Sequence, residues 1–195
     1  MTVDHTHRAL RPVEASPGVL VHPTADRRLA AGQWLSAAHI TSAAEARREW
    51  RKTGMTLLRL GGIFSAVRIP LRVALAPVGF DRPSREADEF LSFALEDGPV
   101  ICDPAGRRYY ALVPASMPTT WHVAAAEWRE DEVDCLGRDV YLGVPRLDRT
   151  TLQPGSLDSY WSVPMPSAGA LCTPLAVARL IAAGKHALAE EGGLL

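Results

Sequence analysis

At 195 residues, with 47% apolar and 22% charged side chains, the chain has the make-up of one globular domain, which excludes a wholly disordered segment and a fibrous repeat. A formal net charge of −1 excludes a global field that would draw in a phosphate backbone, so nucleic-acid contact has to come from a local patch. The longest apolar runs are broken by Arg or Pro before the ~18 residues a bilayer span requires, so no membrane partner is expected.

Arginine outnumbers lysine nineteen to two, the usage expected of GC-rich coding rather than of arginine-driven recognition. The three cysteines, Cys102, Cys135 and Cys172, are an odd number. The opening residues form neither a basic nor an apolar leader, so reduced thiols and a cytoplasmic location are expected.

In chain order, residues 1–32 carry Pro12, Pro17 and Pro23 among Asp, His, Arg and Thr with no sustained period. They are expected to form a flexible arm ahead of a single α/β domain over residues 33–195. The arm's His5, His7 and His22 contain an H-x-H pair, but no Cys or second His pair follows at ligand spacing, and no metal site is expected. Ser42 and Glu45 have capping-box spacing ahead of a helix from Ala43 to Lys52, stopped by Gly54. Met55 to Arg59 reads as a strand. Gly61-Gly62 reads as a turn, and Ile63 to Ile69 as a second strand, in which Phe64, Ala66 and Arg68 alternate against Ser65, Val67 and Ile69, predicting a hairpin.

Pro70 can open a short helix, because the first helical position needs no amide donor, and Pro77 and Gly79 close it. Ser84 is the predicted N-cap of a helix from Arg85 to Leu95 that buries Phe90, Leu91, Ala94 and Leu95. Pro99 to Cys102 and Tyr109 to Val113, joined by the polar Asp103 to Arg108, give a strong hairpin signal. Pro118 to Asp134 follows no single period and is expected as a loop carrying Trp121, His122 and Trp128. Val140 to Val144 and Tyr160 to Val163 are two further strands. Thr173 and Pro174 open a last helix over Leu175 to Leu188. Strands interleaved with helices point to an α/β (α+β) fold, a mixed, largely antiparallel sheet flanked by helices.

Chemistry is sparse. Two-metal sites need carboxylates close together, commonly on one strand face, and no strand here offers D-x-D or D-x-E; Asp131, Glu132 and Asp134 read as a solvated acidic turn. An activated thiol needs a basic or helix-terminal setting, which only Cys172, just ahead of the last helix, approaches. His122 is the one general-base candidate. No P-loop, dinucleotide fingerprint, nucleophile elbow or zinc spacing occurs, so no catalytic residue, metal or cofactor is implied. What stands out is a basic and aromatic set on or beside the strands: Arg59, Arg68, Arg107, Arg108, Tyr110, Trp121, His122 and Trp161. A positive groove with aromatic platforms is what single-stranded nucleic acid binds.

The pieces Phe64-Ser-Ala-Val-Arg-Ile-Pro70, Gly98-Pro-Val100, the Arg108 to Pro114 strand, Gly143-Val-Pro145 and Tyr160-Trp161 occur in an order that resembles the N-terminal domain of the bifunctional DNA primase/polymerase family, as found in short actinobacterial proteins. The resemblance covers Phe64 to Pro166, about half the chain. It implies a mixed sheet flanked by helices. Active members carry metal-binding acidic residues on a central strand, where this sequence has Ser65-Ala-Val-Arg68, so it implies a relative without catalysis. The expected function is a non-catalytic nucleic-acid- or nucleotide-binding or regulatory module, with single-stranded nucleic acid or a nucleotide as partner. The alternative is a protein–protein interaction module docking through the Trp121–Trp128 loop or the arm, and behind it a small enzyme using Cys172 or His122.

Overall fold

The computed structural model describes residues 13–21 and 23–192. A short hairpin, β1 (Val13–Ser16) and β2 (Val19–Val21), precedes helices α1 (Pro23–Ser36) and α2 (Ala43–Thr53) and strands β3 (Met55–Arg59) and β4 (Phe64–Pro70). Helices α3 (Leu71–Leu75) and α4 (Arg85–Ala94) lead into strands β5 (Val100–Asp103) and β6 (Arg108–Pro114). There follow α5 (Met117–Thr120), α6 (His122–Trp128), β7 (Asp134–Leu136), β8 (Tyr141–Pro145), β9 (Tyr160–Val163) and α7 (Pro174–Gly192). The main sheet has five strands in the order β7-β4-β6-β5-β9, each neighbouring pair antiparallel. The fold is thus the α/β arrangement the sequence implies, an antiparallel sheet with helices on it.

The sheet is buried on both faces because successive side chains on a strand point opposite ways and both sets are apolar. Val67 and Ile69 of β4 join Tyr109, Ala111 and Val113 of β6 in one core, packed with residues of α3, α4, α6 and α7. Phe64 and Ala66, with Leu112, Ile101 and Trp161, join a second core made with Ala31 and Leu35 of α1, Trp50 of α2, and Leu58, Leu142 and Val144 of the β3–β8 ribbon. Helices α7 and α3 pack closely at Gly184: a Cβ there would lie 2.0 Å from the Val73 carbonyl oxygen.

The predicted caps are present. Ser42 Oγ accepts the Glu45 N–H at 3.2 Å, Ser84 Oγ accepts the Ala87 N–H at 3.1 Å, and Thr173 Oγ1 accepts the Ala176 N–H at 3.2 Å.

Three expectations give way. The loose arm over residues 1–32 does not describe residues 13–21 or 23–32, which form the β1–β2 hairpin and the first turns of α1. Ala31 is fully buried, and Asp26 lies in the first turn of α1, where its charge suits the helix dipole. Residues 1–12, with His5 and His7, and His22 lie outside the described residues. Second, β3 and β4 are not a hairpin: β3 pairs with β8, and β4 with β6 and β7. β3 buries only alternate residues, as an outer ribbon does, whereas β4 is buried on both faces. Gly61, at φ 79°, redirects the chain between them. Third, the stretch from Pro118 to Asp134 is mainly helical, as α5 and α6, elements too short to impose a readable period.

Candidate functional site

The site grows from the β5–β6 turn. Asp103 Oδ1 accepts the Gly106 N–H at 2.9 Å, and Arg108 Nε donates to the Gly106 carbonyl at 2.9 Å. A Cβ on Gly106 would lie 2.3 Å from Asp103 Oδ2 and 2.7 Å from Arg108 Nε, so a side chain there would push both groups off the turn. Arg107 takes a left-handed φ of 51°, and its side chain is exposed. Its carbonyl accepts the Leu71 N–H at 2.9 Å and so ties the turn to the end of β4.

At that end Pro70 stands opposite Arg108 in the register and hands the chain to α3. Arg68, on the last full stretch of strand, and Arg72, in the first helical turn, therefore reach the same rim as Arg107 and Arg108. The third wall is the acidic turn before β7, where Glu132 takes a φ of 61°. Arg68, Arg72, Arg107, Arg108, Pro70 and Glu132 line an open cleft of about 410 Å³.

The charges in the cleft are unequally matched. Arg68 is ion-paired with Asp134, its register partner on β7. Arg72 reaches Glu132 Oε2 at 3.1 Å and the Asp131 carbonyl at 3.3 Å. Lys185 Nζ of α7 lies 2.7 Å from Asp131 Oδ2, an ion pair not aligned as a hydrogen bond. Among the described residues, Arg107 and Arg108 have no carboxylate in ion-pair contact. Tyr110 is half-buried beside the cleft, opposite Arg68 in the register. Burial pushes its hydroxyl up, against the pull of the Arg108 guanidinium, so it is a neutral hydrogen-bonding group.

No protein-family model, curated protein or solved structure matches the chain. What the cleft does is read from its chemistry.

Of the residues singled out in the sequence, Arg68, Arg107, Arg108 and Tyr110 come together. Arg59 does not: it is exposed, 3.2 Å from Asp139, and borders a different cleft with His39, Ile40, Ile63 and Arg138. Trp161 is fully buried in the second core, where its indole N–H donates to the Pro145 carbonyl at 3.1 Å. Trp121 packs against Trp128, with ring centroids 6.4 Å apart, on the first core. Trp128 is itself buried and Trp121 half-buried, so the pair serves first as packing. His122 is exposed at the start of α6, its Nδ1 2.9 Å from the Thr119 carbonyl oxygen, away from the arginines.

The thiols are also elsewhere. Burial pushes Cys102 and Cys172 up to about 12 and Cys135 up to about 11, the reverse of an activated nucleophile. Cys172 Sγ lies 3.5 Å from the Pro99 carbonyl in the interior.

Sequence reasoning missed Arg72, Glu132 and the part played by Gly106. The available signal was Arg68-Ile-Pro-Leu-Arg72: a proline that ends a strand between two arginines brings both to one end of the sheet.

A second polar cluster lies on the opposite face of the sheet. Asp88 of α4 accepts hydrogen bonds from the Tyr160 hydroxyl, at 3.0 Å to Oδ1, and from Ser162 of β9. Burial pushes its carboxyl up to about 6, while those two hydrogen bonds pull the other way. Cys102 sits between Tyr109 and Tyr160 in the register, and all three are buried, as is Ser162. This cluster ties α4 to the edge strand.

Proposed function

We propose that this chain is a non-catalytic binding module that holds a phosphate-bearing ligand, a nucleotide or nucleic acid, in the arginine cleft, on a primase/polymerase-like domain that lacks the family's metal-binding carboxylates. The observation that carries the reading is the meeting of four arginines at the rim of one cleft, two of them without a carboxylate partner among the described residues. Guanidinium groups bind phosphate through paired, charge-assisted hydrogen bonds. Four of them held by a strand end, a helix start and a tight turn need little reorganisation on binding.

Beside the four arginines, the lining supplies one ionisable acid, Glu132, and no thiol, hydroxyl or imidazole, a composition that suits anion binding. Ser65-Ala-Val-Arg68 stands where the family carries acidic residues. Among the described residues, no group of three His, Cys, Asp or Glu side chains is placed to hold a metal ion.

The test is a fluorescence titration at low salt with a labelled nucleotide and a labelled oligothymidylate, on the native chain and on Arg107→Ala and Arg108→Ala. Each substitution should weaken binding by about tenfold or more, since a hydrogen bond to a charged group contributes about 1.5–3 kcal/mol. Dissociation constants above about 100 μM for both probes, beyond the usual non-specific range, would contradict the reading, as would affinities indifferent to both arginines.

A further inference from the structure

We infer that the cleft takes a compact, mononucleotide-sized phosphate ester and not the continuous backbone of a nucleic-acid strand, and that Glu132 is the residue that sets this preference; the inference rests on the anion-binding reading above.

Size is the first ground. A cleft of about 410 Å³ falls near the lower end of the ~300–1,000 Å³ typical of small-ligand pockets. One phosphate group with a small substituent fits it.

The second ground is what a strand would meet outside the cleft. Binding to single strands needs a positive groove that follows the backbone and successive aromatic faces for stacking. Across this face of the sheet, the register row from the cleft runs Asp134, Arg68, Tyr110, Ile101, Trp161. Ile101 and Trp161 are closed off in the second core, which leaves a half-buried Tyr110 as the lone aromatic on the row beside the cleft. The Arg59 and Arg138 cleft is no continuation. It lies beside the other end of β4, about 20 Å away at ~3.3 Å per residue, with the packed ribbon and helices between.

The third ground is charge. Arg107, Arg108 and Arg72 form one cationic spot, bounded by Glu132 and Asp134 on the β7 side and by Asp103 on the β5 side. A single phosphate can sit between these carboxylates. A second phosphate on either side meets a like charge.

Within this arrangement the carboxylates differ. Asp134 is held against Arg68 by strand pairing, with its side chain 29% exposed, whereas the Glu132 side chain is 75% exposed and reaches Arg72 from a turn. An exposed pair of that kind contributes little, so a phosphate can replace Glu132 on Arg72 while Asp134 stays in place. Once displaced, the Glu132 carboxylate still stands at the mouth of the cleft. It repels a following phosphate more than the first one, which takes its place on Arg72 and gains that guanidinium in exchange.

The experiment measures AMP, inorganic phosphate and an unlabelled oligothymidylate by titration calorimetry over a salt series, on the intact native chain, Glu132→Gln and Arg107→Ala. The native chain should bind AMP and inorganic phosphate at least as tightly as the oligothymidylate. Its salt slope for the oligothymidylate should correspond to about one or two phosphates, where the expected slope is about −0.7 per phosphate contacted. Glu132→Gln, an exposed isostere that leaves the fold intact, should improve the oligothymidylate by about tenfold more than AMP.

An oligothymidylate that binds the native chain about tenfold tighter than AMP with a slope of many phosphates overturns the inference but leaves the anion site standing, as does a Glu132→Gln effect equal for both ligands. Failure of all three ligands to bind, or binding unchanged in Arg107→Ala, overturns the anion site and the inference with it.

Discussion

Arg68 and Trp161 occupy the same register row on the same face of the sheet, yet one borders an open cleft and the other is fully buried. Strand alternation makes the shared face readable in the sequence. It cannot tell which stretch of that face is covered by helices arriving from elsewhere in the chain. That is why Arg68, Arg107, Arg108 and Tyr110 were legible as a group while Trp161 and Trp121 were misassigned to it. An aromatic residue beside a basic one reads the same in sequence whether it stacks on a ligand or on a core.

Asp88 gives a residue-scale prediction. Its carboxyl, held at about 6 by burial, has a folded-state pKa above the ~3.9 of an unfolded aspartate, so the native state holds the proton more tightly. The stability this contributes is fully present below about pH 4 and is lost as pH rises through about 6. Against Asp88→Asn, which keeps an acceptor for Tyr160 and Ser162, the native chain should lose about 2–3 kcal/mol between about pH 4 and pH 7, at 1.36 kcal/mol per pKa unit. Urea unfolding of the two proteins across that range measures it. Parallel pH profiles would show that the carboxyl titrates as an ordinary exposed one.

At the scale of elements, the helices with side-chain caps and the β5–β6 hairpin were legible because their signals are local: Ser42, Ser84 and Thr173 each satisfy an amide three residues on. The partner of β3 was not. A glycine pair between two strands signals a hairpin only if the chain reverses there, and the choice of β8 over β4 follows from which face each strand buries. The acidic turn at Glu132 was legible as charged but not as half of an arginine site, because its partners are about 60 residues away in sequence.

The α3–α7 contact is a further element-scale test. With the Val73 carbonyl oxygen 2.0 Å from where a Cβ would stand at Gly184, Gly184→Ala forces the helices apart. Overpacking of this kind costs about 1–3 kcal/mol, against a helix-propensity gain of about 1 kcal/mol for replacing glycine by alanine. A net loss in the urea midpoint of unfolding is expected, with helix content unchanged by circular dichroism. A net gain would mean that the two helices do not approach this closely.

For the molecule as a whole, two cores separated by the five-stranded sheet fix β4 and β6 rigidly, and the cleft is built where those strands run out. Such placement lets loop-borne groups act from a rigid base. No helix among the described residues is long and apolar enough to cross a membrane. The net charge of −1 is compatible with a single local cationic spot and gives no long-range pull on a polyanion.

The most direct measurement of the central claim is a two-dimensional amide and arginine side-chain NMR titration of the intact chain with AMP at low salt. Saturable shifts should be confined to Arg68, Arg72, Gly106, Arg107, Arg108 and the turn around Glu132, with Arg59, Arg138 and Trp161 unmoved. Shifts centred on Arg59 and Arg138, or none in the arginine cleft at millimolar AMP, would contradict it.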